Sequence, residues 1–134
     1  EDNEHFSLDM TDAERPSPHY TSTLLPLLQQ AHPIAELFLL IGSDSLRDLP
    51  FWHKPVEVIS KCRLVVLPRP GITVDWVMLS LYVPGVDQIV DMLNGPTIDL
   101  SSTMLRDWLA GGNQPYYLIP SAVLNYIQEK QLYS

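Results

Sequence analysis

Two short runs of uninterrupted apolar residues, Leu-Phe-Leu-Leu-Ile at 37–41 and Leu-Val-Val-Leu at 64–67, stand out from an otherwise mixed pattern. A run of that length without alternation marks a strand buried on both faces, as in a parallel sheet. Between them, residues 55–61 predict a helix opened by Pro55 at its first turn, with Val56 and Ile59 facing inward. Strand, helix, strand in that order is a βαβ unit with parallel strands and a right-handed crossover, so the fold class is α/β. Upstream, residues 5–10 alternate apolar and polar positions and predict a short strand with Phe6, Leu8 and Met10 on one face. Arg15-Pro16-Ser17-Pro18 breaks regular structure. Residues 21–31 then predict a helix capped by Thr21, striped by Leu24, Leu25, Leu27 and Leu28, and ended by His32-Pro33; Pro26 falls close to its start. A further short strand is expected over 88–92. A helix over 102–110 stops at Gly111-Gly112, which suits a left-handed C-terminal cap. A closing helix from Pro120 turns Val123, Leu124, Tyr126 and Ile127 inward.

Composition narrows the classes of function. A length of 134 residues with 46% hydrophobic content fits one globular domain, and no repeat, low-complexity tract or linker divides it. The net charge of −8, with only eight Lys and Arg, argues against nonspecific nucleic-acid binding, because a phosphate backbone rewards clustered cations. Glu1, Asp2, Glu4, Asp9, Asp12 and Glu14 read as a solvated acidic segment. Cys62 is the lone cysteine and reads as a small buried hydrophobe. No stretch approaches the length of a membrane span, and the first residues lack a signal-peptide pattern, so a cytoplasmic protein is expected. No group of residues has metal-ligand spacing.

Candidate chemistry gathers in four places. Asp99-Leu100-Ser101-Ser102-Thr103-Met104-Leu105-Arg106 reads as a hydroxyl-rich helix start with an arginine one turn inside. Free backbone N–H groups, the Ser102 and Thr103 hydroxyls and the Arg106 fork would suit a phosphate. A plain serine N-cap with a surface arginine satisfies the same segment. Gly42-Ser43-Asp44 lies at the carboxyl end of the first apolar run, where ligands of open parallel sheets bind. Glycine there permits close approach of a ligand and Asp44 can accept from a ribose diol; a tight turn with Asp44 as a helix N-cap is the alternative. Trp52 offers a flat face for a ring, or a piece of core. Arg69, in Pro68-Arg69-Pro70, is either a phosphate ligand or a loop salt-bridge partner.

Taken together, Gly42-Ser43-Asp44-Ser45-Leu46, Leu49-Pro50-Phe51-Trp52, Arg69-Pro70-Gly71, Leu100-Ser101-Ser102-Thr103-Met104-Leu105-Arg106, Tyr117-Leu118-Ile119-Pro120 and the terminal Tyr126 to Tyr133 stand in a fixed order. That order resembles bacterial nicotinate-nucleotide adenylyltransferases, with their G-x-D-S-L, L-P-x-W, R-P-G, I-S-S-T-x-[IL]-R, Y-L-[VI]-P and Y-I-x-x-x-x-L-Y pattern. The resemblance runs from about His5 to Tyr133. It implies a Rossmann-like nucleotidylyltransferase fold, a parallel sheet flanked by helices, and transfer of AMP from ATP to nicotinate mononucleotide. It also implies that Gly42 and Asp44 face the ATP ribose and that Arg69, Ser102, Thr103 and Arg106 serve the phosphates. Trp52 would stack on the pyridine ring, Tyr20 and Thr21 match the S-Y-T of the mononucleotide pocket, and Thr21 with backbone amides near Trp52 and His53 would hold the nicotinate carboxylate. Magnesium would arrive on the ATP phosphates. Two departures touch the pyridine pocket: His19 replaces the serine of the family's S-Y-T, and Asp48 stands where some relatives carry an aromatic residue.

The family's glycine-rich G-G-[ST]-F-D-P-x-H-x-G-H segment, whose histidines contact the ATP phosphates, has no counterpart here. His5, His19, His32 and His53 lack that spacing. The chain therefore reads as the C-terminal portion of one such domain, short of roughly 60 to 80 residues and incomplete at its N-terminus, inactive alone and open to self-association through an uncovered sheet edge. Rival readings are another nucleotidylyltransferase, acting on nicotinamide mononucleotide or pantetheine phosphate, and a noncatalytic nucleotide-binding or interaction module.

Overall fold

Three parallel strands, β1 (Phe38–Gly42), β2 (Arg63–Leu67) and β3 (Val90–Met92), stand in the order β1-β2-β3 in the computed structural model, which describes residues 3–95 and 100–133. The register pairs Leu39 with Leu64, Ile41 with Val66, and Leu64 with Val90, which sets these side chains on one face. The chain divides into two units, Glu1–Thr97 and Ile98–Ser134, each described by itself.

In the first unit the helices are α1 (Thr11–Glu14), α2 (Thr21–Ala31), α3 (Ser43–Asp48), α4 (Pro55–Ile59) and α5 (Trp76–Tyr82). Leu25, Leu46, Leu49, Val58, Cys62, Leu79, Val83 and Val86 close over Leu64 and Val66 to form the core, with Leu39, Ile41, Trp52 and Val90 packed at its margin. Each fully buried Leu or Val contributes about 1.5–3 kcal/mol of apolar transfer. The β1–β2 pair is parallel, as the apolar runs predict, and β3 adds to β2 in parallel as well.

The expectation of strands buried on both faces fails. Phe38, Leu40 and Leu67 are about half exposed, because among the described residues the core covers only the Leu39–Ile41 side of the sheet. On the other face Arg63 spans to Asp91 by paired bonds, Nε to Oδ2 at 2.9 Å and Nη2 to Oδ1 at 2.8 Å. That contact holds the Asp91 carboxyl below its ordinary value.

Other expectations shift in detail. Residues 6–10 form no strand, and Phe6 and Leu8 are more than four-fifths exposed; no described strand lies beside them to complete a ladder. Helix α2 has the expected bounds, but its N-cap is Tyr20 and Thr21 is the first helical residue. The buried side of α2 is Ser22 and Leu25, while Leu27 is exposed. In α4, Pro55 takes the first turn as expected, but Val58 is buried and Val56 half exposed, since a five-residue helix buries only the side that leads on to Cys62. Helix α5 escaped the sequence pattern because Trp76, Val77, Met78, Leu81 and Tyr82 are exposed apolar residues that blur its Leu79–Val83 stripe. Cys62 is buried as expected, and its thiol is pushed up to about 11 by desolvation.

The second unit holds α6 (Ser102–Ala110) and α7 (Ser121–Glu129). Helix α6 keeps its expected bounds, and Gly112, at φ 77°, supplies the left-handed residue after Gly111. In α7, Leu124 is buried, whereas Val123 and Tyr126 are about half exposed. Among the described residues, no helix is long and apolar enough to cross a membrane.

Candidate functional site

The carboxyl ends of β1 and β2 bring three of the predicted residues together. Strand β1 runs directly into α3 at Gly42, whose φ of −84° and ψ of 162° are open to any residue. What requires glycine is space: a Cβ there would overlap Asp44 Oδ1 and come within 3.2 Å of Arg69 Nε. The Asp44 carboxylate thus lies over the Gly42 backbone, and its Oδ2 is 3.5 Å from Arg69 Nη1. Ser43, buried, accepts a 2.9 Å hydrogen bond from the Arg69 backbone N–H and so ties the loop after β2 to the end of β1. Asp44 is not an N-cap; Gly42 holds that position and Asp44 sits in the first turn of α3. Arg69 is a salt-bridge partner, and its partner is another predicted site residue. With about half of the Arg69 side chain and a third of that of Asp44 exposed, both keep polar atoms for a ligand. The pair offers a carboxylate for hydroxyls beside a cation for phosphate, at the strand ends where open sheets bind nucleotides.

A second group comes together between the start of α2 and the turn after α3. Tyr20, Thr21, Trp52 and His53, with His19 and Phe51, line an open hollow of about 250 Å³. A 3-10 turn, Leu49–Phe51, is closed by the Trp52 N–H donating to the Leu49 carbonyl at 3.0 Å, which aims the following residues. Trp52 is half buried and packs on the core, so it is at once core and wall. The Tyr20 and His53 rings stack, centroids 4.2 Å apart and planes 13° from parallel. His53 Nδ1 and the Oγ of buried Ser22 share a 2.8 Å hydrogen bond. Such a wall of flat faces is suited to a planar ring, with cationic rings favoured over neutral ones.

Sequence reasoning missed Ser22 and Arg15 here. Ser22 is the polar residue on the buried side of α2, three positions before Leu25, and a serine in an apolar stripe is the signal that could have found it. Asp12, read as part of a solvated acidic segment, accepts from Arg15 Nε at 2.7 Å, and the guanidinium holds its carboxyl below the ordinary range.

In the second unit, Ser101 is the N-cap of α6, its hydroxyl accepting from the Met104 N–H at 3.1 Å. Capping by Ser101 leaves Ser102 and Thr103 exposed in the first turn. Arg106, also exposed, donates from Nη2 to Thr103 Oγ1 at 3.4 Å. Two hydroxyls and a guanidinium therefore share one turn at a helix start, where the first N–H groups lack intrahelical partners as a rule, and together they form a set of donors. Asp99 lies outside the described residues.

The profile of the cytidylyltransferase-like family matches residues 2–107. A probable nicotinate-nucleotide adenylyltransferase of Roseiflexus sp. (strain RS-1) is 36% identical over 132 residues, 98% of this chain and 66% of that protein. One from Herpetosiphon aurantiacus is 37% identical over 98% of this chain and 67% of its own length. The chain thus spans about two thirds of these curated relatives. Among solved structures, Plasmodium falciparum nicotinic acid mononucleotide adenylyltransferase complexed with NaAD has a TM-score of 0.70 at 21% identity, covering 96% of this chain and 62% of that one. Its complex with APC gives 0.68 at the same identity, over 96% of this chain and 64% of the other. These structures establish a shared fold.

Proposed function

The chain belongs to the cytidylyltransferase-like family, and on that premise we propose that it is the part of a nicotinate-nucleotide adenylyltransferase that holds the pyridine mononucleotide and part of the triphosphate. The observation that carries this reading is the aromatic hollow of Tyr20, Trp52 and His53, a site shaped for a flat ring. The pyridinium of nicotinate mononucleotide is such a ring and bears the positive charge that aromatic faces favour. Thr21 and the backbone near Trp52 and His53 hold its carboxylate, and Tyr20 lines the pocket beside them. Gly42 and Asp44 receive the ATP ribose, and Arg69 its phosphates.

The mononucleotide phosphate oxygen attacks the α-phosphorus of ATP; a new P–O bond forms as the bond to the β-phosphate oxygen breaks, releasing pyrophosphate and nicotinate adenine dinucleotide. No protein nucleophile takes part. What accelerates such a transfer is alignment and neutralisation of the charge spread over the phosphoryl oxygens. Ser102, Thr103 and Arg106 serve that charge from the first turn of α6. Among the described residues no group of three His, Cys, Asp or Glu side chains gathers to hold a metal. Magnesium carried on the ATP phosphates would supply further neutralisation of charge there.

Titration calorimetry with nicotinate mononucleotide, nicotinamide mononucleotide, pantetheine phosphate and a nonhydrolysable ATP analogue tests the reading, with product formation followed by chromatography. Preference for the nicotinate ligand and a separate site for the ATP analogue are expected. Equal affinity for the amide, or preference for pantetheine phosphate, would assign the chain to another nucleotidylyltransferase; binding without turnover in the intact protein would make it a noncatalytic module.

A further inference from the structure

The segment between α1 and α2 has no regular secondary structure, yet it delivers Tyr20 to a stack on His53. One half of that stack is fixed from α2 by the Ser22–His53 hydrogen bond. The other half is fixed by Arg15. Its Nη2 donates to the Tyr20 carbonyl at 3.1 Å, its Nη1 to Thr23 Oγ1 at 2.6 Å and to the Pro18 carbonyl at 3.4 Å, and its Nε to Asp12 at 2.7 Å. Only 11% of the side chain is exposed, so these bonds have replaced water. The Tyr20 carbonyl is the junction: it also accepts from the Thr23 hydroxyl at 2.8 Å and from the Thr23 and Leu24 N–H groups at 3.0 and 3.1 Å.

We propose that Arg15 is a positioning residue for the pyridine pocket: it pins residues 15–20 to the start of α2 so that Tyr20 stays stacked on His53 before the ligand arrives. The proposal rests on the reading of that hollow as the nicotinate mononucleotide site. A guanidinium suits the task because its planar fork reaches a carboxylate, two carbonyls and a hydroxyl at once, which an ammonium on a single point cannot do. Helix α2 does not depend on Arg15, since the helical N–H groups of Thr23 and Leu24 keep their own bonds to Tyr20. Loss of Arg15 therefore frees the segment and not the helix, and the ligand must then order Tyr20 at the expense of affinity.

Two readouts on Arg15→Ala test this. Stacking on Tyr20 shifts the His53 ring protons upfield in NMR spectra of the free protein; in Arg15→Ala they move toward free-imidazole values while the melting temperature changes little. Affinity for nicotinate mononucleotide falls about tenfold, and that for an ATP analogue stays within about twofold. Arg15→Lys recovers only part of either signal. Should Arg15→Ala fail to fold, Thr23→Val carries the same test, because it removes one Arg15 acceptor and the hydroxyl bond to Tyr20. Unmoved His53 signals, or equal weakening of both ligands, would overturn the proposal. A wild-type protein with the upfield His53 signals but no affinity for nicotinate mononucleotide would instead overturn the substrate reading, and the positioning role would then be decided by the ring shifts.

Discussion

Gly42→Ala should separate stability from nucleotide binding. The backbone at Gly42 is extended, so alanine is allowed there, and restricting the unfolded chain would by itself stabilise the protein by about 0.4–1 kcal/mol. Against this stands the added methyl, which would overlap Asp44 Oδ1 and press on Arg69 Nε. Both obstacles are ends of partly exposed side chains, so they can swing aside without moving the core. The pairing that is lost, at 3.5 Å between exposed groups, is worth about 0–1 kcal/mol. Net stability should therefore change by less than about 1 kcal/mol. Binding should not be spared, because the displaced carboxylate is the group assigned to the ATP ribose. Losing one charge-assisted hydrogen bond costs about 1.5–3 kcal/mol, or roughly ten- to a hundredfold in Kd. Urea denaturation gives the first quantity and calorimetry with a nonhydrolysable ATP analogue the second, with Asp44→Asn as a control that removes the charge without the methyl. If Asp44→Asn weakens the analogue but Gly42→Ala does not, the steric reasoning is wrong. If neither does, Asp44 does not serve the ribose.

Arg106→Ala should lower turnover of the intact protein by about a hundredfold or more with little loss of stability, since Arg106 is exposed and bonds weakly, at 3.4 Å, to Thr103; near-normal turnover would make it an ordinary surface arginine. Trp52→Ala should weaken nicotinate mononucleotide by about 1–3 kcal/mol and leave ATP affinity unchanged, while also lowering the melting temperature because the side chain packs against the core; equal damage to both ligands would remove Trp52 from the site. The Cys62 thiol, raised to about 11 in the folded state, should react slowly with alkylating agents at pH 8 until the protein is unfolded. Because the unfolded thiol ionises first, folding stability should fall as pH rises from about 9 toward 11, and Cys62→Ala should flatten that slope in melts across the range.

How far the sequence specified the fold depends on what each segment needed from its neighbours. The ends of helices α2 and α6 were legible, because Pro33 and the Gly111-Gly112 pair stop them by local chemistry. The parallel pairing of β1 and β2 was legible because apolar runs separated by a helix leave few other topologies. Which faces those strands bury was not. Leu40 and Leu39 are the same residue type in the same run, and only the placement of Leu46, Leu49 and Val58 on one side makes the first exposed and the second part of the core margin. Residues 6–10 show the same limit more sharply, since alternation is a property of the segment whereas a strand is a property of a pair.

The candidate site divides along a similar line. Gly42, Asp44 and Arg69 were each identifiable as residue types that suit a nucleotide, but the space that Gly42 leaves for the Asp44 carboxylate beside Arg69 is a contact that no spacing reveals. Tyr20 and His53 lie 33 positions apart, and their stack exists because Ser22 and Arg15 each spend hydrogen bonds on it. Neither supporting residue has the chemistry of a ligand contact, and each has an ordinary local explanation, a serine in the first turn of a helix and an arginine before a proline. Residues that touch a ligand can be guessed from what the ligand requires; residues that hold those in place are chosen by distances across the fold. For this reason the Arg15 and Ser22 contacts became visible only once the start of α2 and the turn before α4 were seen side by side.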